Sequence, residues 1–104
     1  MAQQFSADVR QEGNNATLVM SGEINGQADP ALDNAYTKVE QLAPEAVTLD
    51  FTDVDYINST GIALIVGVLA RARATHRPVS AAGLSDHYRE IFTITRLSDF
   101  MEIQ

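Results

Sequence analysis

Val47-Thr48-Leu49-Asp50-Phe51-Thr52-Asp53-Val54-Asp55-Tyr56-Ile57-Asn58-Ser59-Thr60-Gly61-Ile62 decides the fold. Val47–Phe51 alternates apolar and polar side chains, the pattern of a strand with one buried face. Thr52–Asn58 carries Asp53 and Asp55 and reads as the connecting loop. From Thr60 to about Thr75 the period becomes helical, with Ile62, Ile65, Val66 and Leu69 on one apolar stripe and Leu64 and Val68 beside it. A helix this apolar is expected to be largely covered. Ser59 falls near its N-cap and Gly61 in its first turn.

The flanking segments extend this unit in both directions. Phe5–Val9 reads as an edge strand, Gly13-Asn14-Asn15 as a turn and Thr17–Met20 as a strand leading to Ser21-Gly22-Glu23-Ile24. Asp29-Pro30 marks a helix start, with Asp29 as the cap and Pro30 in the first helical position. Leu32, Ala35, Tyr36, Val39 and Leu42 recur at helical spacing, and Pro44 lies past the end. After His76-Arg77-Pro78 come a strand at Val79–Ala82 and a helix from Asp86 to about Thr93, capped by Ser85. Tyr88, Ile91 and Phe92 are that helix's core candidates, and a last strand lies around Phe100–Ile103. The order β-β-α-β-α-β-α-β implies an α/β fold: a mixed sheet of four to five strands with helices packed against it.

The 104 residues suit a single domain over 1–104, and the 45% apolar content argues against disorder. A net charge of -7 argues against direct binding to nucleic acid or an anionic membrane, both of which need clustered Lys and Arg. There is no cysteine, which removes disulfides, thiol nucleophiles and Cys-ligated metals. The polar start Met1-Ala2-Gln3-Gln4-Phe5 has no signal-peptide pattern, and the run Ile62–Ala70 is too short to span a bilayer. A cytoplasmic monomer is the expectation, since no exposed apolar face is obvious.

Strand–helix junctions are where open α/β sheets place their sites. At Ser59 two readings stand side by side. The hydroxyl can simply cap the helix, with Gly61 relieving crowding. Alternatively Ser59 is a phosphoacceptor. A phosphate there would meet free N–H groups and the positive end of the helix dipole, while adding charge to an acidic surface. The small-residue stripe Ala63, Gly67, Ala70 and Ala74 also has two readings: close packing on the sheet, or a docking surface shared with Arg71.

The segment Asp50–Ile62 followed by an apolar helix resembles the signature of STAS domains, specifically the anti-sigma factor antagonists. Gly22-Glu23-Ile24 is similar to that family's Gly-Glu-Leu-Asp segment, and the likeness covers nearly the whole chain. The resemblance implies partner switching without catalysis. The unphosphorylated domain would bind a GHKL-type serine kinase that serves as anti-sigma factor, and so free the sigma factor. Phosphorylation at Ser59, with Thr60 as second choice, would end binding, and a PP2C-type phosphatase would restore it. ATP belongs to the kinase, so no cofactor is implied for this chain. Glu23, Asn25, Asp55, Asn58, Thr60, Gly61, Ile62, Gly67 and Arg71 are the residues expected to form the partner-binding surface. Asn58 departs from the family's Asp: it keeps the shape and hydrogen bonding and loses a charge.

Three rivals remain. Some STAS domains act as scaffolds in signalling assemblies or lipid-transport complexes, with no phosphorylation cycle. A response-regulator receiver would need an acidic pair after the first strand and a late Lys, whereas the sole Lys is Lys38. A hydrolase using Ser59 would need His76 or His87 as base. His76 lies at the far end of the helix, roughly 25 Å away, and Ser59 lacks the Gly-x-Ser-x-Gly elbow.

Overall fold

The computed structural model describes residues 4–104; residues 1–3, where the polar N-terminal stretch begins, lie outside the described residues. The elements are β1 (Ser6–Glu12), β2 (Asn15–Ile24), α1 (Asp29–Leu42), β3 (Ala46–Ile57), α2 (Ser59–Ala74), β4 (Val79–Ala82), α3 (Asp86–Ile94) and β5 (Glu102–Ile103). Short 3-10 turns at Gly26–Ala28 and Leu97–Asp99 lead into α1 and towards β5.

The five strands lie in the order β1-β2-β3-β4-β5. β1 and β2 form an antiparallel hairpin, and β2 through β5 run parallel. Gly13, at φ +62°, holds the first central position of the two-residue turn, a conformation that a side chain would strain. Aligned residues across the sheet give it one dry face. Leu18 pairs with Leu49, and Leu49 with Ala81; all three are fully buried. Because each parallel crossover moves one strand further in the same direction, right-handed connections place every helix on that face. The other face presents the half-buried alternates Thr17, Val19, Thr48, Asp50 and Ser80 to solvent.

The core joins Leu18, Met20, Ile24, Tyr36, Val39, Leu49, Ile65 and Phe92, with Phe51 and Phe92 in edge-to-face contact at 5.6 Å. Arg71 ties α2 to α1 across the surface. Its guanidinium donates to Asp33 Oδ1 at 2.8 Å, to Thr37 Oγ1 at 3.2 Å and to Glu40, and it lies 4.9 Å above the Tyr36 ring. The Glu40 hydrogen bond raises the Arg71 pKa above its ordinary value.

Four expectations are corrected. β3 does not stop at Phe51 but continues to Ile57. Two bulges opposite β2 break its alternation, so a period-2 reading loses the strand there. Asp29 does not cap α1; it is the first α-helical residue, with Pro30 second. The capping role passes upstream to Asn25, whose side chain accepts from Gln27 N at 2.9 Å and starts the 3-10 turn that runs into α1. Val66 leaves the buried stripe and is 45% exposed, because the core side of α2 is Gly61, Ile65, Val68, Leu69 and Ala72. Phe100 precedes β5 and is 53% exposed, Arg73 lying 5.4 Å from its ring.

Candidate functional site

The junction between β3 and α2 is built around Asn58. Its backbone is extended, and its Oδ1 accepts from Gly61 N at 2.8 Å, which makes Asn58 the N-cap. Its carbonyl accepts from Ile62 N at 2.9 Å, and its own N–H donates to Ile24 O at 3.2 Å. Ser59 is therefore the first helical residue and not the cap. Its hydroxyl has no capping duty, and both Ser59 and Thr60 are exposed. Asn caps as well as Asp does, so the departure from the family's Asp leaves the helix start intact.

Gly61 presses this helix end onto β2. A Cβ on Gly61 would stand 2.0 Å from Ile24 O and 2.8 Å from Ile24 C. On the other side, Tyr88 of α3 accepts from Ile57 N at 2.8 Å, in a buried bond that fixes the end of β3. The position of Ser59 is thus set by three elements: β2 through Gly61, α3 through Tyr88 and β3 through Asn58.

Asp53 and Asp55 are exposed on the segment of β3 leading to Ser59. Asp55 is the extra residue of a bulge, since Val54 pairs with Gly22 and Tyr56 with Glu23. Tyr56 is 52% exposed beside it. On the neighbouring strand end, half-buried Glu23 and Asn25 line a cleft of about 590 Å³ with Phe5, Gln27 and Pro30.

The small-residue stripe does not pack on the sheet, which corrects the first of its two readings. Ala63, Val66, Gly67, Ala70 and Ala74 are all exposed, and a Cβ on Gly67 would meet nothing within 4 Å. With Ser59 they recur at i, i+4, i+7, i+8, i+11 and i+15, one face of α2 about 100° wide. So α2 is covered on one side and open on the other, with Ser59 at the head of the open side. The periodicity was sound; what it could not assign was which of two apolar stripes faced inward.

The structure groups the proposed partner-binding residues unevenly. Asn58, Thr60, Gly61 and Ile62 form the helix start; Gly61 is buried and Ile62 half-buried, so Gly61 acts through position. Glu23, Asn25 and Asp55 sit on the adjoining strand ends, and Gly67 lies two turns along α2. Arg71 lines a shallow groove with Ala63 and Gly67 between α1 and α2, its guanidinium engaged by Asp33, Thr37 and Glu40 on α1. His76 lies beyond the C-terminal end of α2, opposite Ser59, and His87 stacks edge-on with Tyr88 at 4.9 Å.

The family model described as Mlab, STAS domain, matches residues 7–103. The chain belongs to the STAS domain family. This STAS domain is 31% identical over 87 residues to an anti-sigma-B factor antagonist of Listeria monocytogenes, covering 84% of this chain and 76% of the relative. It is 29% identical over 84 residues to an anti-sigma-B factor antagonist of Staphylococcus aureus, covering 81% and 78%. Among solved structures it superposes on an anti-sigma factor antagonist from Mycobacterium paratuberculosis with TM-score 0.76, 23% identity and coverage of 96% and 85%. The Bacillus cell fate determinant SpoIIAA, in its phosphorylated form, gives TM-score 0.71 at 17% identity, covering 95% and 91%. These two structures establish the STAS fold. None of the described helices is long and apolar enough to cross a membrane.

Proposed function

We propose that this STAS domain is an anti-sigma factor antagonist that works by partner switching. In the unphosphorylated state it binds an anti-sigma factor, a GHKL-type serine kinase, through the open face of α2 and the adjoining ends of β2 and β3. The sigma factor is thereby released. The kinase then transfers the γ-phosphoryl group of ATP to Ser59 Oγ; the serine proton is lost and ADP leaves. A PP2C-type phosphatase hydrolyses the phosphate and resets the domain. The names of the curated relatives support the antagonist role.

One observation carries this reading: Ser59 is exposed, free of the capping role, and heads an unpartnered face of small side chains. Small residues let a partner's backbone approach closely, and a face without long charged side chains costs little to desolvate. A phosphate at Ser59 brings roughly -1.5 to -2 charges to that face. Within the free domain the helix dipole tolerates it. Beneath a docked partner it would be a buried charge without a counter-ion, which costs about 3–5 kcal/mol. That is a loss of affinity of at least about 100-fold, with no change of fold. Exposed Asp53 and Asp55 push the same way.

The test is a pull-down with wild type, Ser59→Ala and Ser59→Asp. Wild type and Ser59→Ala retain the kinase-like partner and Ser59→Asp loses it; equal capture by all three sinks the switch. Gly67→Glu, on the open face, keeps the circular dichroism spectrum and loses the partner. A second reading, a scaffold or lipid-transport subunit that uses the same face without phosphorylation, is favoured by uncharged Asn58, and it predicts unchanged mass after incubation with kinase and ATP.

A further inference from the structure

We propose that β1 is a self-pairing edge through which two copies of this domain form a weak, closed, two-fold dimer. β1 is a seven-residue strand at the sheet edge, bonded among the described residues to β2 on one side only. Natural edges are usually blunted by charged side chains, proline, a bulge or an inward charge, and β1 carries the first of these in exposed Asp8, Arg10 and Glu12, charges of both signs that a second copy can match. It has no proline, bulge or inward charge: its register with β2 is unbroken from Ser6 to Glu12, and Ala7 and Val9 are its inward residues.

The hairpin fixes which backbone groups are free. Glu12 and Asn15 flank the two-residue turn and form a hydrogen-bonded pair, so Glu12, Arg10, Asp8 and Ser6 direct their backbone groups to β2. Ala7, Val9 and Gln11 direct theirs outward. A second β1 must therefore bond through those same three residues, which leaves few antiparallel two-fold registers. Centring the axis on Asp8 sets Asp8 against its own copy. Centring it on Arg10 sets Arg10 against Arg10 and Asp8 against Glu12. Centring it on Val9 sets Asp8 against Arg10 twice, with Ala7 opposite Gln11. Centring it on Gln11 also matches its charges, Arg10 against Glu12 twice, but pairs only the last three residues of β1, whereas the Val9 register pairs all seven and opposes no like charges; cross-strand partners of opposite charge favour pairing while like charges oppose it. Asp8 and Arg10 are exposed, and neither belongs to an ion pair among the described residues.

The second copy also covers the groove between β1 and α1, about 340 Å³, where Ala7, Val9, Ala31 and Ala35 meet Lys38. The opposite sheet edge, β5, has two residues and is too short to propagate pairing, so the assembly stops at two chains instead of growing into a fibre. A seven-residue edge falls short of the roughly 800 Å² per partner of a standard interface. The net charge of -7 on each chain opposes association further, so the dimer is weak.

Sedimentation equilibrium from about 0.05 to 1 mM, concentrations at which a weak interface of this size is read, tests the assignment. The expected weight-average mass for wild type rises from monomer towards dimer. Val9→Pro removes the outward N–H, a change edge strands accept, together with part of a half-buried side chain; it should stay folded by circular dichroism and be monomeric. Asp8→Arg and Arg10→Asp are each monomeric alone, whereas their equimolar mixture forms a heterodimer and the double swap D8R/R10D recovers self-association. A monomeric wild type throughout, or a dimer undiminished by Val9→Pro or Arg10→Asp, overturns it.

Discussion

Replacing Gly61 by alanine tests whether the switch helix is held where the structure places it. On an open helix the substitution would stabilise by about 1 kcal/mol, since alanine is the better helix former. Here the new Cβ would lie 2.0 Å from Ile24 O and 3.0 Å from Ile57 Cγ2. Carbon and oxygen need more than 3 Å, so the start of α2 must retreat by about 1 Å from β2. That movement strains the Asn58 cap and the bond from Asn58 N to Ile24 O. Overpacking costs about 1–3 kcal/mol, and because the close atom is backbone the upper end applies. The net expectation is a loss of about 2 kcal/mol. Gly67→Ala is the internal control: the same chemical change in the same helix, with nothing within 4 Å, should gain about 1 kcal/mol. Urea unfolding followed by circular dichroism reads both, provided the m-value is unchanged. If Gly61→Ala is as stabilising as Gly67→Ala, the close packing of α2 on β2 is refuted.

Three further outcomes follow from the geometry. Asn58→Ala removes the cap bond to Gly61 N and should cost about 1 kcal/mol in urea unfolding, whereas Asn58→Asp keeps it and gains up to about 1 kcal/mol from the helix dipole. In a Ser59→Asp background the Asn58→Asp gain should shrink through like-charge repulsion. Arg71→Met should cost about 1 kcal/mol in stability through the lost contacts to Asp33, Thr37 and Glu40, a modest figure because Arg71 and Glu40 are each a third exposed and Asp33 mostly so. Tyr36→Phe should be neutral or stabilise by up to about 1 kcal/mol at neutral pH, because the buried Tyr36 hydroxyl makes no hydrogen bond of good geometry and has only the Arg77 side chain near it. Burial raises the Tyr36 pKa above 10.0, against the opposing pull of Arg77. The unfolded chain then ionises first, so stability should fall as pH rises beyond about 10 in wild type, with a shallower fall in Tyr36→Phe.

The element order and the mixed sheet were legible because the periods changed cleanly: two in Val47–Phe51, helical after Asn58, two again in Val79–Ala82. Ser85 caps α3 as its position suggested, accepting from Tyr88 N at 3.3 Å. What sequence periodicity could not resolve lay where a local device overrode it. The bulges hid the second half of β3, and the 3-10 turn capped by Asn25 took the helix start from Asp29. Asn58, noticed only as a departure, proved to be the residue that frees Ser59 from capping. The two apolar stripes of α2 were both visible, but only packing decides which one is buried. Arg71 is held to α1 by carboxylates 31 and 38 residues away in sequence, a contact no local pattern announces.

The central claim is that Ser59 is a covalent switch on a binding face. Intact-mass spectrometry and isothermal titration on one sample, with the cognate anti-sigma factor kinase, test it most directly. With ATP, wild type should gain a single phosphoryl group and Ser59→Ala none. The phosphorylated protein should then bind the kinase at least about 100-fold more weakly than the unmodified one. A phosphoryl group on Ser59→Ala, or equal affinity before and after modification of wild type, would contradict the account.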